Sequence, residues 1–358
     1  MNIIIKRNDL KNQYNVKLNT NKKNVIILGN GDSISYRTEI IRPNGPNNMQ
    51  HLFPDSELTT AYKQFYNLTD NTVDIYVANC TTYKDYLEVA KIALMYDFEL
   101  FMPIGLNFSD TFYDASKMKQ CYYVNFFLEI LSTKTNNITT VLMTGKHASL
   151  CDTIDEFIYY MEQSTNKYYS DCIHNKDTSK LVNKYADNVV FVANILTDVQ
   201  YANVILGALL IANIPNQYLK PIEYIPVFDI DKTDTLKGNY VYFKYNYITD
   251  STDVENTLNM RYEDDIYKNV LINHLIKYIR KQINLDHYIG KLYNAYTILQ
   301  IQSTIQDVMN RMSDEFFQDY KIINIRFIKM SQSSGYIYIE LTIVPYGFLD
   351  TIEVLLEV

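Results

Sequence analysis

Apolar and polar residues alternate most regularly toward the end of the sequence. Ile323, Ile325 and Phe327 alternate with Asn324 and Arg326, which is the period of a half-buried strand. The polar run Ser331-Gln332-Ser333-Ser334-Gly335 predicts a turn. A second strand is expected next, with Ile337, Ile339, Leu341 and Ile343 on one face and Tyr336, Tyr338, Glu340 and Thr342 on the other. Pro345-Tyr346-Gly347 breaks it, since proline cannot donate to a ladder. Ile352, Val354, Leu356 and Val358 then alternate with Glu353 and Glu357. A terminal strand of this kind frays unless a sheet receives it. It is therefore expected to join a sheet of its own subunit or of a neighbour.

Upstream, the pattern is alternating strand and helix. Val25 to Leu28 is a continuous apolar run, as in a strand covered on both faces. Helices are predicted over 58–67, 83–97, 118–131 and 199–212, and another N-capped by Asp152 and running to Met161. Strands are predicted over 73–78, 98–104, 138–143 and 189–193. This alternation predicts an α/β middle domain over 24–214 with a largely parallel sheet. Residues 1–23 read as a polar arm whose apolar stretch Ile3-Ile4-Ile5 is a candidate strand for pairing outside its own domain. Pro215, Pro221 and Pro226 mark 215–238 as a crossing segment. An α+β module over 239–351 follows, with a tyrosine-rich strand at 239–247, a turn at 249–253 and long helices over 263–283 and 293–317. The second helix carries the stripe Ile298, Ile301, Ile305, Val308 and Met312. Residues 352–358 complete the plan.

Composition narrows the function classes. With 358 residues, 47% hydrophobic and 21% charged, the chain is globular and long enough for several domains. A net charge of -8 argues against general nucleic-acid binding. No apolar run reaches membrane-spanning length, and Met1 to Arg7 turns charged too quickly for a signal peptide. Assembly in a cytoplasm is expected. The scattered Cys80, Cys121, Cys151 and Cys172 are expected to be buried thiols. Tyrosine, at 33 residues, suits interfaces, where its ring buries area while its hydroxyl keeps a partner.

Several constellations invite a chemical reading. Asp229-Ile230-Asp231-Lys232-Thr233 has the spacing of the nucleophile loop of haloacid-dehalogenase-type phosphatases, with Asp229 as nucleophile and Asp231 as proton shuttle. It sits late in the chain, after a proline, and no paired acids follow on a later strand. An acidic surface turn is the simpler reading. Gly29-Asn30-Gly31-Asp32-Ser33 follows the first strand of the middle domain but lacks the third glycine of a dinucleotide loop and the lysine of a P-loop. A tight turn using glycine's positive φ is expected there. Cys151, Cys172, His174 and His147 have no metal-site spacing, so neither metal nor cofactor is expected. Lys277, Arg280 and Lys281 lie with Asn273 on one polar helical face, a solvated surface or a basic stripe for an acidic partner.

A family resemblance joins these pieces. The stretch Tyr240 to Asp250, the helix lead Glu263-Asp264-Asp265-Ile266-Tyr267, the segment Asp286 to Asn294, the helix to Met312 and the strands from Leu341 to Val358 together resemble the C-terminal domain of contractile-tail sheath proteins. Those occur in bacteriophages and R-type bacteriocins. The resemblance implies a structural, non-enzymatic virion protein. Its partners would be further copies of itself in hexameric rings stacked helically, the tail tube protein, and baseplate and tail terminator proteins, with no nucleic acid and no membrane insertion. It implies exchange of terminal strands between neighbours, assigned to Ile3, Ile4 and Ile5 and to Ile352, Val354, Leu356 and Val358. It also implies an inner position for the C-terminal domain, with Lys277, Arg280 and Lys281 expected to face the tube.

Overall fold

The apolar run at Val25 lies at the centre of the main sheet in the computed structural model, which describes residues 3–5, 22–69, 73–133, 139–174, 185–196, 200–212, 219, 222–223, 240–246, 249–260, 269–283, 285, 288, 294–329 and 335–345. The chain divides into two compact units, residues 1–213 with 219–270 and residues 271–358 with 214–218.

In the first unit five strands run parallel: β2 (Lys23–Gly29), β4 (Val73–Asn79), β5 (Leu100–Pro103), β8 (Thr140–Thr144) and β9 (Val189–Val192). Their spatial order is β4-β2-β5-β8-β9. Counting parallel strands alone, this is the doubly wound order 2-1-3-4-5. Both faces are covered, which is why Val25 to Leu28 are all fully buried. On β5 the alternation is visible: Phe101 meets Phe127 of helix α4 (Tyr123–Ser132) at 5.2 Å between ring centroids, while Leu100 and Met102 face helix α6 (Ala202–Ala212). Gly207 of α6 admits that approach, because a Cβ there would run into Met102 and Leu100. Helix α2 (Glu57–Leu68) packs beside α6. Helices α3 (Tyr83–Ala93) and α5 (Ile154–His174) complete the layers of this unit with α4.

Two short antiparallel strands extend the sheet beyond β4. They are β3 (Ile40–Arg42), paired with β4, and β1 (Ile3–Ile5), paired with β3 in the register Ile3↔Arg42 to Ile5↔Ile40. At the opposite edge, the Val241 N–H donates to the Phe191 carbonyl (2.8 Å) and the Ala193 N–H to the Val241 carbonyl (2.7 Å). The tyrosine-rich strand β11 (Tyr242–Asn246) pairs with β12 (Ser251–Glu255), which also takes β10 (Ile222–Glu223). Residues 240–260 thus belong with the α/β unit, and the division falls near Val270 instead of residue 239. The expected turn over 249–253 is confined to Thr249 and Asp250, and a strand starts at Ser251.

Two more local expectations change. Residues 118–131 are not one helix: β6 (Thr111–Asp114) and β7 (Lys119–Tyr122) form a hairpin before α4, with Met118 at φ 51° in its turn. The alternation there is read by Phe112, which contacts Tyr123 and Phe126, so tertiary packing overrides the local helical period. Helix α5 is capped by Thr153, whose Oγ1 accepts the Glu156 N–H (3.1 Å), while Glu156 accepts the Asp152 N–H (2.7 Å). Asp152 therefore lies one residue outside the cap, and the helix runs far beyond Met161.

The second unit holds helices α7 (Val270–Gln282) and α8 (Ala295–Phe316) and a hairpin of β13 (Phe317–Lys329) and β14 (Gly335–Pro345). Asn294 caps α8 by accepting the Thr297 N–H (2.9 Å). Leu275, Ile279, Ile301, Ile305, Val308, Met309 and Met312 form the core, and half-buried Ile322, Ile325, Ile339, Leu341 and Ile343 lie on it. The expected phase of β13 was Ile323, Ile325 and Phe327. The register passes from Ile322↔Leu341 to Asn324↔Glu340, so Ile323 is the extra residue of a bulge. Two residues opposite one shift the side-chain phase, which is how Ile322 and Ile325 share the core face.

Candidate assembly surfaces

In a doubly wound sheet the crevice between the first and third parallel strands is the usual ligand position. Here β2 ends at Gly29, and the loop 30–38 is tied to the end of β4, on the other side of β2 from β5. Asn79, fully buried at the end of β4, accepts the Gly31 N–H (2.9 Å) and donates to the carbonyls of Ser33 (2.7 Å) and Ser35 (3.2 Å). A Cβ on Gly31 would meet Phe53 at 2.5 Å, so its glycine serves close packing. The left-handed positions are Asp32 (φ 50°), Tyr36 (φ 58°) and Thr38 (φ 61°), which corrects the expectation that glycine supplies the positive φ. The N–H groups opening α2 are occupied: Leu58 donates to the Asn30 carbonyl (3.2 Å) and Thr59 to the Ser56 hydroxyl (3.1 Å). Burial, and then the charge of Asp32, push the Glu57 carboxyl above its ordinary range. A phosphate would meet carboxylates here in place of free N–H donors.

Arg37 ties the loop to α3. Its Nε donates to both carboxylate oxygens of Asp85 (2.9 and 3.0 Å), and Asp85 also accepts the N–H groups of Thr81 (2.9 Å) and Thr82 (2.8 Å). Burial alone would raise the Asp85 carboxyl; the bonds from Arg37, Thr82 and Thr81 outweigh it and hold it below the usual range.

The remaining chemical candidates are not assembled into a site. Asp229 and Asp231 lie outside the described residues, and in the sequence they follow all five parallel strands instead of opening the sheet. His147 caps a short turn by accepting the Ser149 N–H (3.1 Å). Cys172 donates to Asn125, and burial pushes its thiol up to about 11. Burial likewise raises Cys80, Cys121 and Cys151, the opposite of what a thiolate nucleophile needs. Among the described residues no three His, Cys, Asp or Glu are grouped to hold a metal. No helix among them is long and apolar enough to cross a membrane.

The features suited to assembly lie elsewhere. Ile3, Ile4 and Ile5 pair with β3 of the same chain at the sheet edge. Ile352, Val354, Leu356 and Val358 lie outside the described residues. The β13–β14 ribbon has strands of 13 and 11 residues, and among the described residues no third strand joins it. Among its described side chains Gln318, Asp319, Lys321, Glu340 and Thr342 are exposed, together with Val344. On α7, Lys277 is only 7% exposed and Asn273 is buried, so the three basic residues do not form one solvated face. Lys277 shares a buried stripe with Asn273, one turn before it and on the side of the helix opposite Leu275 and Ile279; Lys281 stays half-buried, and the side chain of Arg280 lies outside the described residues. Sequence reasoning missed the surface of loop 30–38, where Ile34 is 92% exposed. The available signal was a lone isoleucine among Asp32, Ser33 and Ser35.

No protein-family model and no curated protein matches the chain. Solved structures do. A sheath complex of the extracellular contractile injection system PVC, in its contracted state, aligns with TM-score 0.62 at 11% identity, covering 95% of this chain and 92% of that one. The contracted helical sheath of the anti-feeding prophage aligns with TM-score 0.58 at 10% identity, covering 95% and 94%. A sheath tail protein from Listeria innocua aligns with TM-score 0.55 at 8% identity, covering 90% and 95%. The chain has the mixed α/β fold of these contractile-sheath subunits.

Proposed function

We propose that this protein is the repeating subunit of a contractile sheath. In this reading copies polymerise helically, as stacked hexameric rings, around a tail tube and contract to drive it through a host envelope, on a phage tail or a related injection particle. Baseplate and terminator proteins would bound the polymer. The observation that carries the reading is the extent of the fold likeness. Doubly wound sheets serve many unrelated functions, so a match to the α/β unit alone would say little. Coverage of 95% of the chain takes in the second unit as well.

The second unit supplies a physical basis for linkage between copies. Each long strand of the β13–β14 ribbon has an outer row of backbone groups toward which another strand can add. The alternating segment 352–358 of a neighbour has the length and pattern to do so, whereas Ile3 to Ile5 is already paired with β3 of its own chain. Such a strand makes about six main-chain hydrogen bonds, each worth about 1 kcal/mol net. That tether holds while the bodies of the subunits rotate. The basic end of α7, with Lys281 and Arg280, is the part of the predicted stripe left to meet the tube.

Electron microscopy of the purified protein tests this. Wild-type chain is expected to form hollow cylinders, and chain lacking residues 352–358 to remain folded and monomeric. Cylinders from the truncated protein would defeat the strand-exchange assignment. In the same preparation, Lys281→Glu should weaken binding of tube protein while self-assembly persists; unchanged tube binding rejects that contact.

A further inference from the structure

We propose that loop 30–38 is a pre-shaped contact that seats Ile34 on a second copy of this chain, against the face formed by the β6–β7 hairpin and α3. The proposal takes self-assembly from the sheath reading and adds the surfaces that meet.

The loop is held in a costly conformation by more bonds than a surface turn needs. Three of the eight non-glycine residues of the loop adopt left-handed backbone, namely Asp32, Tyr36 and Thr38. Such strain persists where surrounding structure over-determines it, and it gathers at functional contacts. The bracing comes from both sides: the Asn79 amide on the main chain of Gly31, Ser33 and Ser35, and Arg37 on Asp85. The Tyr36 ring stands edge-on to Phe53 at 6.2 Å. Within this frame the one large aliphatic side chain points outward, with Ile34 92% exposed. A rigid loop that shows an isoleucine has already met the ordering cost of binding. Asp32 in the loop and Glu57 near it are exposed carboxylates, while the Arg37 guanidinium is paired with Asp85.

A matching surface should be apolar at its centre and basic around it. The β6–β7 hairpin exposes Met118 (79%) and Tyr113 (59%). Lys119 is exposed beside them, and Lys91 of α3 lies over the Phe126 ring at 5.8 Å, next to Phe112 of the hairpin. Lys117 already bonds Glu129 and faces Asp114, so Lys91 and Lys119 are the cations offered to a partner. Methionine adapts readily to an inserted aliphatic group. The two surfaces differ from each other, so the contact is heterologous, the kind that builds rings or open helical stacks.

The test combines substitution with cross-linking. Ile34→Asp should leave the melting temperature unchanged, because the side chain is exposed, and raise the concentration needed for assembly about tenfold or more. A chain carrying Ile34→Cys, Met118→Cys and Cys121→Ser should give a ladder of covalent oligomers on oxidation, while either single cysteine in the same background should not. Wild-type-like assembly by Ile34→Asp, or no ladder from the paired cysteines, overturns the proposal. Wild-type protein that makes no cylinders removes the sheath reading instead; a ladder that still forms then keeps this contact.

Discussion

The two units solve the same problem, covering a sheet, to different extents. In the first, helices lie on both faces of the sheet, and both edges carry added chain: β1 on β3 at one side and residues 240–241 on β9 at the other. In the second, two helices cover one face of a two-stranded ribbon, and the residues that meet them stay half-buried. An isolated two-stranded sheet is marginal in water, and long uncovered edges recruit further strands. The contrast teaches where assembly is to be sought. In the first unit the sheet is covered on both faces and offers side-chain surfaces. In the second, among the described residues, no third strand joins the β13–β14 ribbon.

Three substitutions bear on that contrast. The largest effect is expected from Phe127→Ala, which empties a fully buried site between α4 and Phe101 and should cost about 3–5 kcal/mol. A melting experiment on the monomer checks it, and a loss below 1 kcal/mol would show that the first unit is not tightly packed.

Asp85→Asn comes next, at about 2 kcal/mol, since it removes charged hydrogen bonds from the backbone and from Arg37. The wild-type contribution also depends on pH. The folded carboxyl is held low, so its stabilisation is complete above the unfolded value of about 3.9 and is lost as pH falls through the folded value. The gap in melting temperature between wild type and Asp85→Asn should therefore be widest near neutrality and close in acid. A gap that widened on acidification would contradict the assigned direction.

Leu341→Ala should have the smallest effect on the monomer, about 1 kcal/mol, because the side chain is half-buried. Its effect on assembly should be larger, since a completed sheet covers what the monomer leaves open. Equal losses in monomer stability and in assembly would break the contrast between the units.

Much of the fold was legible along the chain. The run at Val25 needed two covered faces, and with the strands at Val73, Phe98 and Val189 and the intervening helical stripes it led to a largely parallel sheet. The stripe from Ile301 to Met312 likewise became the core of the second unit. Less was legible of the surfaces. Lys277 belonged to a polar face by spacing alone, yet the helix packs that side inward. The β6–β7 hairpin hid inside a segment with a helical period until Phe112 met its partners across the fold.

By itself the sequence determined the buried parallel strands and the longer helices, because apolar periodicity is a local record of burial. Only the tertiary structure decided the strand order, the bulge at Ile323, the bracing of loop 30–38 by Asn79, and the exposure of Ile34. These depend on residues far apart in the chain, such as Gly31 and Asn79, and no local pattern encodes which distant partner will complete a hydrogen bond or cover a side chain.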